Sequence, residues 1–304
     1  MDYLLSLCIP TNGMLEWVSP VLDSVYQQGI SEELFQIVIT DNGTNEEFAH
    51  YIERMQRIHS NILYKRTKAE GFLNQIEAFK IADGKLIKFL NHRMTMLNGS
   101  LVYLINYARQ NDENSVVYFS NGALKGKKII RSNSFDGFVR SLSYWSSWSA
   151  GVAFWKKDVN RIKRIPSFNR LFPHTDILFL NRDTRLYVVD NTKLLEELPI
   201  DNTKKGKYSL FSAFAVEYPK IIKRLMNDGD ISNETYMYLM KKIEGFVAEL
   251  YANYVVLKYP CSYDLSNYEE SINIHFKTYR IKIISLRYTL KRIMIDSIRR
   301  ILRK

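Results

Sequence analysis

The chain has 304 residues, 46% apolar and 25% charged, with a formal net charge of +11. That apolar share excludes global disorder, and two distant cysteines, Cys8 and Cys261, exclude a disulfide framework, fit a reducing compartment and leave no zinc-ligand spacing. No run of about 18 uncharged apolar residues exists, so no transmembrane helix is expected, and with Asp2 and the early Pro10 no secretory leader is expected either. In chain order, short β-rich runs alternate with helical spacing. Strands are predicted over 4–10, 35–44, 61–66 and 85–90, and helices over 14–29, 46–59, 71–84 and from 101. Glu46 and Glu47 open the second helix where its dipole favours them, and Gly29 and Gly84 stop two others. The rhythm continues through a strand at 115–120, a basic loop "LKGKKI", an aromatic and serine-rich segment over 135–151 and a strand over 152–155. A last strand follows at about 186–190. After the polar linker "DNTKKGK" the alternation ends, and three long helical segments remain.

This order predicts an α/β fold, a mostly parallel sheet with helices on both faces, followed by a helical region. In such sheets ligands bind beyond the carboxyl ends of the strands. The turns Pro10-Thr11-Asn12, Asp41-Asn42-Gly43 and Asn91-His92-Arg93 are therefore expected to meet at one crevice. Each is also composed of ordinary turn residues, so none is a site on its own.

Together these residues resemble glycosyltransferase family 2, of the Rossmann-like GT-A fold, over roughly 3–190. "LSLCIPTNG" is similar to the family's opening strand, although Gly13 and Met14 stand where Asn and Arg are usual. "IVITDNGT" resembles the motif whose acid contacts the donor nucleoside, which places that role on Asp41. Gly71 and Asn74 in "AEGFLNQIEAFKIADG" resemble the family's Gly and Asn. The linker sets the expected domain boundary near 200–207, which gives a nucleotide-sugar-binding and catalytic domain over 1–203 and a helical domain over 204–304. The resemblance implies donor contacts from Pro10, Thr11, Asn12, Asp41, Asn42, Gly71, Asn74, Asn91, His92 and Arg93.

"FLNHRMTMLNGSL" falls where the family carries its Asp-x-Asp metal segment, and it puts Asn91 and Arg93 on the two acidic positions. An amide and a cation do not supply the anionic oxygens that Mg²⁺ or Mn²⁺ prefers, so no metal or other cofactor is expected. A guanidinium is bidentate on phosphate and always protonated, so Arg93, aided by His92, is expected to hold the donor diphosphate instead. The alternative is a degenerate site in a non-catalytic nucleotide- or glycan-binding subunit that partners an active transferase.

Family 2 enzymes usually invert by direct displacement, which needs one carboxylate as base. The resemblance places it in "FPHTDILFL", on Asp176, with His174 to orient it, touch diphosphate or replace it. As a residue after Pro173, Asp176 also reads as an ordinary helix N-terminal charge. Asp183 and Asp190 lack a matching motif. Tyr144, Trp145 and Trp148, just before Gly151, fall where the family forms its acceptor cleft, and they also read as core aromatics.

Residues 276–304 hold ten basic residues and one acid, a net +9 of the chain's +11. The basicity therefore belongs to a tail, and no nucleic-acid partner is expected for the main domain. Within the tail, apolar residues recur at 283, 286, 290, 293, 294, 298 and 301, with Arg and Lys on the other side. That pattern predicts a basic amphipathic helix lying on a membrane surface, or one docked on its own domain. The C-terminal helices also offer a surface for a homo-oligomer. The whole reads as a bacterial-type enzyme of the cytoplasm, peripheral on the inner face of the cell membrane. It is expected to transfer sugar from a nucleotide donor, a UDP-sugar, to a lipid-linked or cell-surface glycan.

Overall fold

Strands β1 (Leu5–Thr11), β2 (Phe35–Asp41), β3 (Ile62–Arg66) and β4 (Leu86–Phe89) lie parallel in the order β3-β2-β1-β4. Every residue of β2 is buried, as a strand covered on both faces requires. The intervening helices α1 (Leu15–Tyr26), α2 (Glu46–Ile58) and α3 (Asn74–Ile81) provide cover, with α3 against β1 and β2 and α2 against β3. Asn45 caps α2 by accepting from the amide of Phe48 at 3.3 Å. The 71–84 segment, read as one helix, is a 3₁₀ turn over Gly71–Leu73 followed by α3.

Beyond β4 the architecture is less regular than the alternation implies. A three-residue strand β5 (Met94–Met96) leads into α4 (Ser100–Gln110). Strands β6 (Ser115–Phe119) and β7 (Ile129–Ser132) follow, then α5 (Phe135–Leu142) and β8 (Ala153–Trp155). β8 closes the main sheet antiparallel to β4, so this edge departs from the parallel pattern. Short helices α6 (Val159–Lys163) and α7 (Pro173–Leu178) precede β9 (Leu186–Asp190) and β10 (Leu195–Glu197). β9 sits between β6 and β7 in a second sheet, and β10 pairs with β5 in a two-stranded ribbon. The indole of Trp155 donates to the Ser115 carbonyl at 2.7 Å, and Tyr118 bridges Val152, so β8 joins the two sheets.

In this computed structural model, residues 3–111, 113–199, 201–204 and 206–302 are described. The chain divides into two compact units, Met1–Pro199 and Ile200–Lys304. The linker residues Ile200 and Lys205, and the tail residues Arg303 and Lys304, lie outside the described residues. The second unit is helical: α8 (Leu210–Ser212) and α9 (Tyr218–Asn227) are joined by a π-helical turn, Ala213–Glu217. Then come α10 (Asn233–Leu250), a second π turn over Tyr251–Val256, α11 (Tyr268–His275) and α12 (Thr278–Leu302). α10 is the hub, lying against both α9 and α12. No helix among the described residues is long and apolar enough to cross a membrane.

Candidate active site

The parallel register sets Thr11, the last residue of β1, opposite Asp41, the last of β2. The Leu90 amide prolongs β4 beside β1 by donating to the Cys8 carbonyl at 2.8 Å. The first and second strand-end turns and the Asn91-His92-Arg93 triplet therefore emerge side by side. Pro10 sits one residue earlier, opposite Thr40, and Asn12 is exposed at the tip. A Cβ on Gly43 would lie 2.1 Å from the Asn12 carbonyl oxygen, so only glycine lets the two turns pass.

Asp41 is fully buried: its Oδ1 accepts from the Gly43 amide at 2.7 Å and its Oδ2 from the Tyr64 hydroxyl at 3.1 Å. The Asn42 amide group donates to the Ala69 carbonyl at 2.8 Å, which ties this turn to the segment that enters Gly71. Asn74 is engaged in the same way. Its Nδ2 donates to the carbonyls of Thr11 (3.0 Å) and Thr40 (2.8 Å), and its Oδ1 accepts from the Thr67 hydroxyl at 2.8 Å. At 2% exposure this side chain buckles the ends of β1 and β2 together from inside the protein.

The triplet is fixed in turn. The Asn91 Oδ1 accepts from the Arg93 amide at 3.0 Å, and the Arg93 carbonyl accepts from Leu198 at 2.9 Å, where β5 and β10 pair. His92 Nδ1 is hydrogen-bonded to the Thr11 hydroxyl at 3.0 Å. Burial, with the Arg93 charge beside it, pushes the imidazole down to about 3, so it is neutral at physiological pH. Trp17 of α1 supports both neighbours: its ring meets His92 edge-on at 5.0 Å, and the Arg93 guanidinium lies over it at 5.6 Å. The Nε and Nη1 of Arg93 are buried and have no hydrogen-bond partner among the described residues. Such groups are costly to leave unmade, and an anion with several acceptor oxygens satisfies them.

These residues do not fit the divalent cation that GT-A folds commonly carry. The Asn91 oxygen is committed to its own turn, and Arg93 brings a fixed positive charge to the second position. Among the described residues no group of three or more His, Cys, Asp or Glu is placed to hold a metal ion.

The aromatic segment hangs on the same strand. The Phe89 amide donates to the Val152 carbonyl at 3.0 Å, and the buried Lys88 Nζ donates to the carbonyls of Phe89 (3.0 Å) and Ala150. Burial pulls that ammonium down to about 7. The Tyr118 hydroxyl lies against the carbonyls of Trp145 and Trp148, the latter at 3.0 Å. A Cβ on Gly151 would fall 2.2 Å from Tyr118 Cζ, so the glycine is what lets the loop seat on this ring. Tyr144, Trp145 and Trp148 are each only half-buried, and the first two stack with centroids 5.3 Å apart. They form a shelf held from beneath rather than part of the core.

Helix α7 docks on this shelf. Thr175 Oγ1 donates to the Ser146 carbonyl at 2.9 Å, and His174 Nε2 to the Ser147 carbonyl at 2.8 Å. That bond puts the proton on Nε2, leaving the buried Nδ1 without a partner among the described residues, and burial lowers the imidazole to about 4. Asp176, in the first turn after Pro173, is half-buried and accepts from the Asn169 amide at 2.7 Å. The loop before it reaches the segment that enters Gly71, where Arg170 pairs with Glu70 at 3.2 Å. Asp190 is fully buried, with Oδ2 accepting from Tyr103 at 2.6 Å, which makes it a structural anchor, and Asp183 is exposed.

Thr11, Asp41, His92 and Arg93 thus share one strand-end crevice, while Trp145, Trp148, His174 and Asp176 share the shelf beside β4. The sequence reading did not single out Trp17, Tyr64, Lys88 or Tyr118, which hold these groups in place. A lysine inside the apolar run "KLIKFL" was the one visible signal among them.

Residues 6–164, just over half of the chain, match the family model for glycosyl transferase family 2. No curated protein sequence matches the chain. Among solved structures, the fold is similar to Staphylococcus aureus TarS 1-349 in complex with UDP-GlcNAc. Identity is 12% and the TM-score 0.54, over 95% of this chain and 89% of that one. It is also similar to a longer S. aureus TarS chain, at 12% identity and TM-score 0.52, covering 95% of this chain and 54% of that one. At such identity the likeness is one of fold.

Proposed function

The chain belongs to glycosyl transferase family 2, and from that premise we propose that it moves a sugar from a UDP-sugar to a lipid-linked or cell-surface glycan, with inversion and without a divalent metal. The observation that carries this reading is Arg93, whose buried Nε and Nη1 at the strand-end crevice have no hydrogen-bond partner among the described residues. In the proposed reaction an acceptor hydroxyl oxygen attacks the anomeric carbon and the bond from that carbon to the diphosphate oxygen breaks. The hydroxyl proton passes to Asp176. Negative charge grows on the departing nucleoside diphosphate, and Arg93 stabilises it there. The neutral His92 fixes the Thr11 hydroxyl, and Asp41, Asn42, Gly71 and Asn74 shape the nucleoside side.

Trp145 and Trp148 offer faces on which an acceptor sugar stacks, with Tyr144 alongside. An acceptor carried on lipid sets the enzyme at the inner face of a bacterial cell membrane, in surface polysaccharide assembly. The TarS neighbour holds UDP-GlcNAc, which makes that the first donor to try. The test is slow release of UDP from a panel of UDP-sugars in the absence of acceptor. One donor that is hydrolysed and that raises the melting temperature supports the reading. A protein that neither binds nor hydrolyses any nucleotide sugar overturns it.

A further inference from the structure

Helix α12 has two apolar faces. The inward one carries the buried Ile281 and Ser285 along α10. It is locked by Arg280 to Glu244 at 3.0 Å, Arg292 to Glu249 at 3.3 Å and the Tyr259 hydroxyl to Asp296 at 2.5 Å. Those bonds fix the rotation of the helix about its axis. The opposite face therefore presents Ile283, Leu286, Leu290, Ile293, Met294 and Ile298 to solvent, each between 49% and 68% exposed. With Tyr279 one turn earlier, the stripe runs ~28 Å along the helix at 1.5 Å per residue. Single exposed apolar residues are ordinary, whereas an unbroken stripe marks an interaction surface. The side chains of Arg299, Arg300 and Ile301, the next stripe position, are outside what the structure describes.

We propose that this face of α12 lies in the headgroup region of an anionic bilayer. Exposed Arg287 and Lys291 border the stripe on one side, and on the other lies Lys282, which is paired with Glu269 at 3.2 Å. The acid within α12, Asp296, is turned inward to Tyr259. An apolar stripe edged by cations suits a surface that is apolar within and anionic outside. A second copy is a poor occupant, because it would set two segments of net +9 face to face. The surface gives the lipid-linked acceptor reading a physical basis, yet vesicle binding measures it independently of any transfer.

The test is co-sedimentation with phosphatidylglycerol–phosphatidylcholine vesicles against phosphatidylcholine alone, at low and high salt. The wild type is compared with Leu286→Glu/Leu290→Glu and Arg287→Glu/Lys291→Glu. The wild type should bind the anionic vesicles, more weakly as salt rises, and each variant should lose about tenfold or more of that partition. Because these side chains face solvent, melting temperature and UDP binding should be unchanged, which separates loss of the surface from loss of fold or site. Three results would overturn the proposal: variants that sediment like the wild type, a wild type that ignores anionic vesicles, or a wild-type dimer that Leu286→Glu/Leu290→Glu converts to monomer.

Discussion

Asn74→Ala removes three hydrogen bonds from a side chain that is 2% exposed. Each is worth about 1 kcal/mol net, so the loss should be about 3 kcal/mol. For a unit of this size that corresponds to roughly 6–12 °C in Tm. Asn74→Asp keeps the shape but sets a carboxylate against the Thr11 and Thr40 carbonyls, which accept at 3.0 and 2.8 Å from the native amide. It should be the worse of the two. Urea unfolding followed by circular dichroism reads the stability, and a UDP titration on the same samples reads the crevice. Since the amide ties strand ends rather than facing ligand, UDP affinity should fall only as far as those ends loosen. Abolished UDP binding with stability within ~0.5 kcal/mol of wild type would refute the reasoning, since surface-like effects are of that size. It would mean that Asn74 contacts the donor itself.

Asp176→Asn retains an oxygen for the Asn169 amide but no base, so transfer should drop by about 10²-fold while UDP affinity holds. Near-normal turnover would move the base elsewhere, to His174 first. The protein should also lose stability as pH falls from about 6.5 to about 4. In that window the unfolded chain protonates His174 at its ordinary value, while burial keeps the native imidazole neutral down to about 4. Protons bound only by the unfolded state favour unfolding, and this one histidine contributes about 3 kcal/mol over the window. His174→Gln keeps a donor for the Ser147 carbonyl and removes the titration, so its urea midpoint should fall less steeply with acid. An unchanged acid limb would show that the coupling lies elsewhere.

The strand–helix rhythm of the first ninety residues was legible because each apolar run is short and closed by Gly, Pro, Asn or Asp. β5 and β10 were not. Each is three residues long, and they pair through residues about a hundred positions apart, such as Thr95 and Glu196. The antiparallel direction of β8 leaves no mark in an apolar pattern, which reads the same either way. The stripe on α12 was visible as spacing, but Ile281, Ile284, Tyr288 and Ile295 make a second stripe of equal period. Only the partner α10 decides that Ile281 is buried and Leu290 exposed. Asn74 shows the limit within the site, since the residue that suits a ligand contact also suits a buckle between two carbonyls. Arg93 was legible by its charge in an expected acidic place, whereas its support, Trp17, comes from another helix.

The central claim is that Arg93 takes the diphosphate in the absence of a metal. Calorimetric titration of UDP into EDTA-treated protein, beside Arg93→Met, tests it most directly. Methionine keeps an apolar stem over Trp17 and removes the charge. A charged hydrogen bond is worth about 1.5–3 kcal/mol, so affinity should be unaffected by EDTA and should fall roughly ten- to hundredfold in Arg93→Met. Affinity that collapses with EDTA, returns with Mn²⁺ and is indifferent to Arg93→Met would contradict the account.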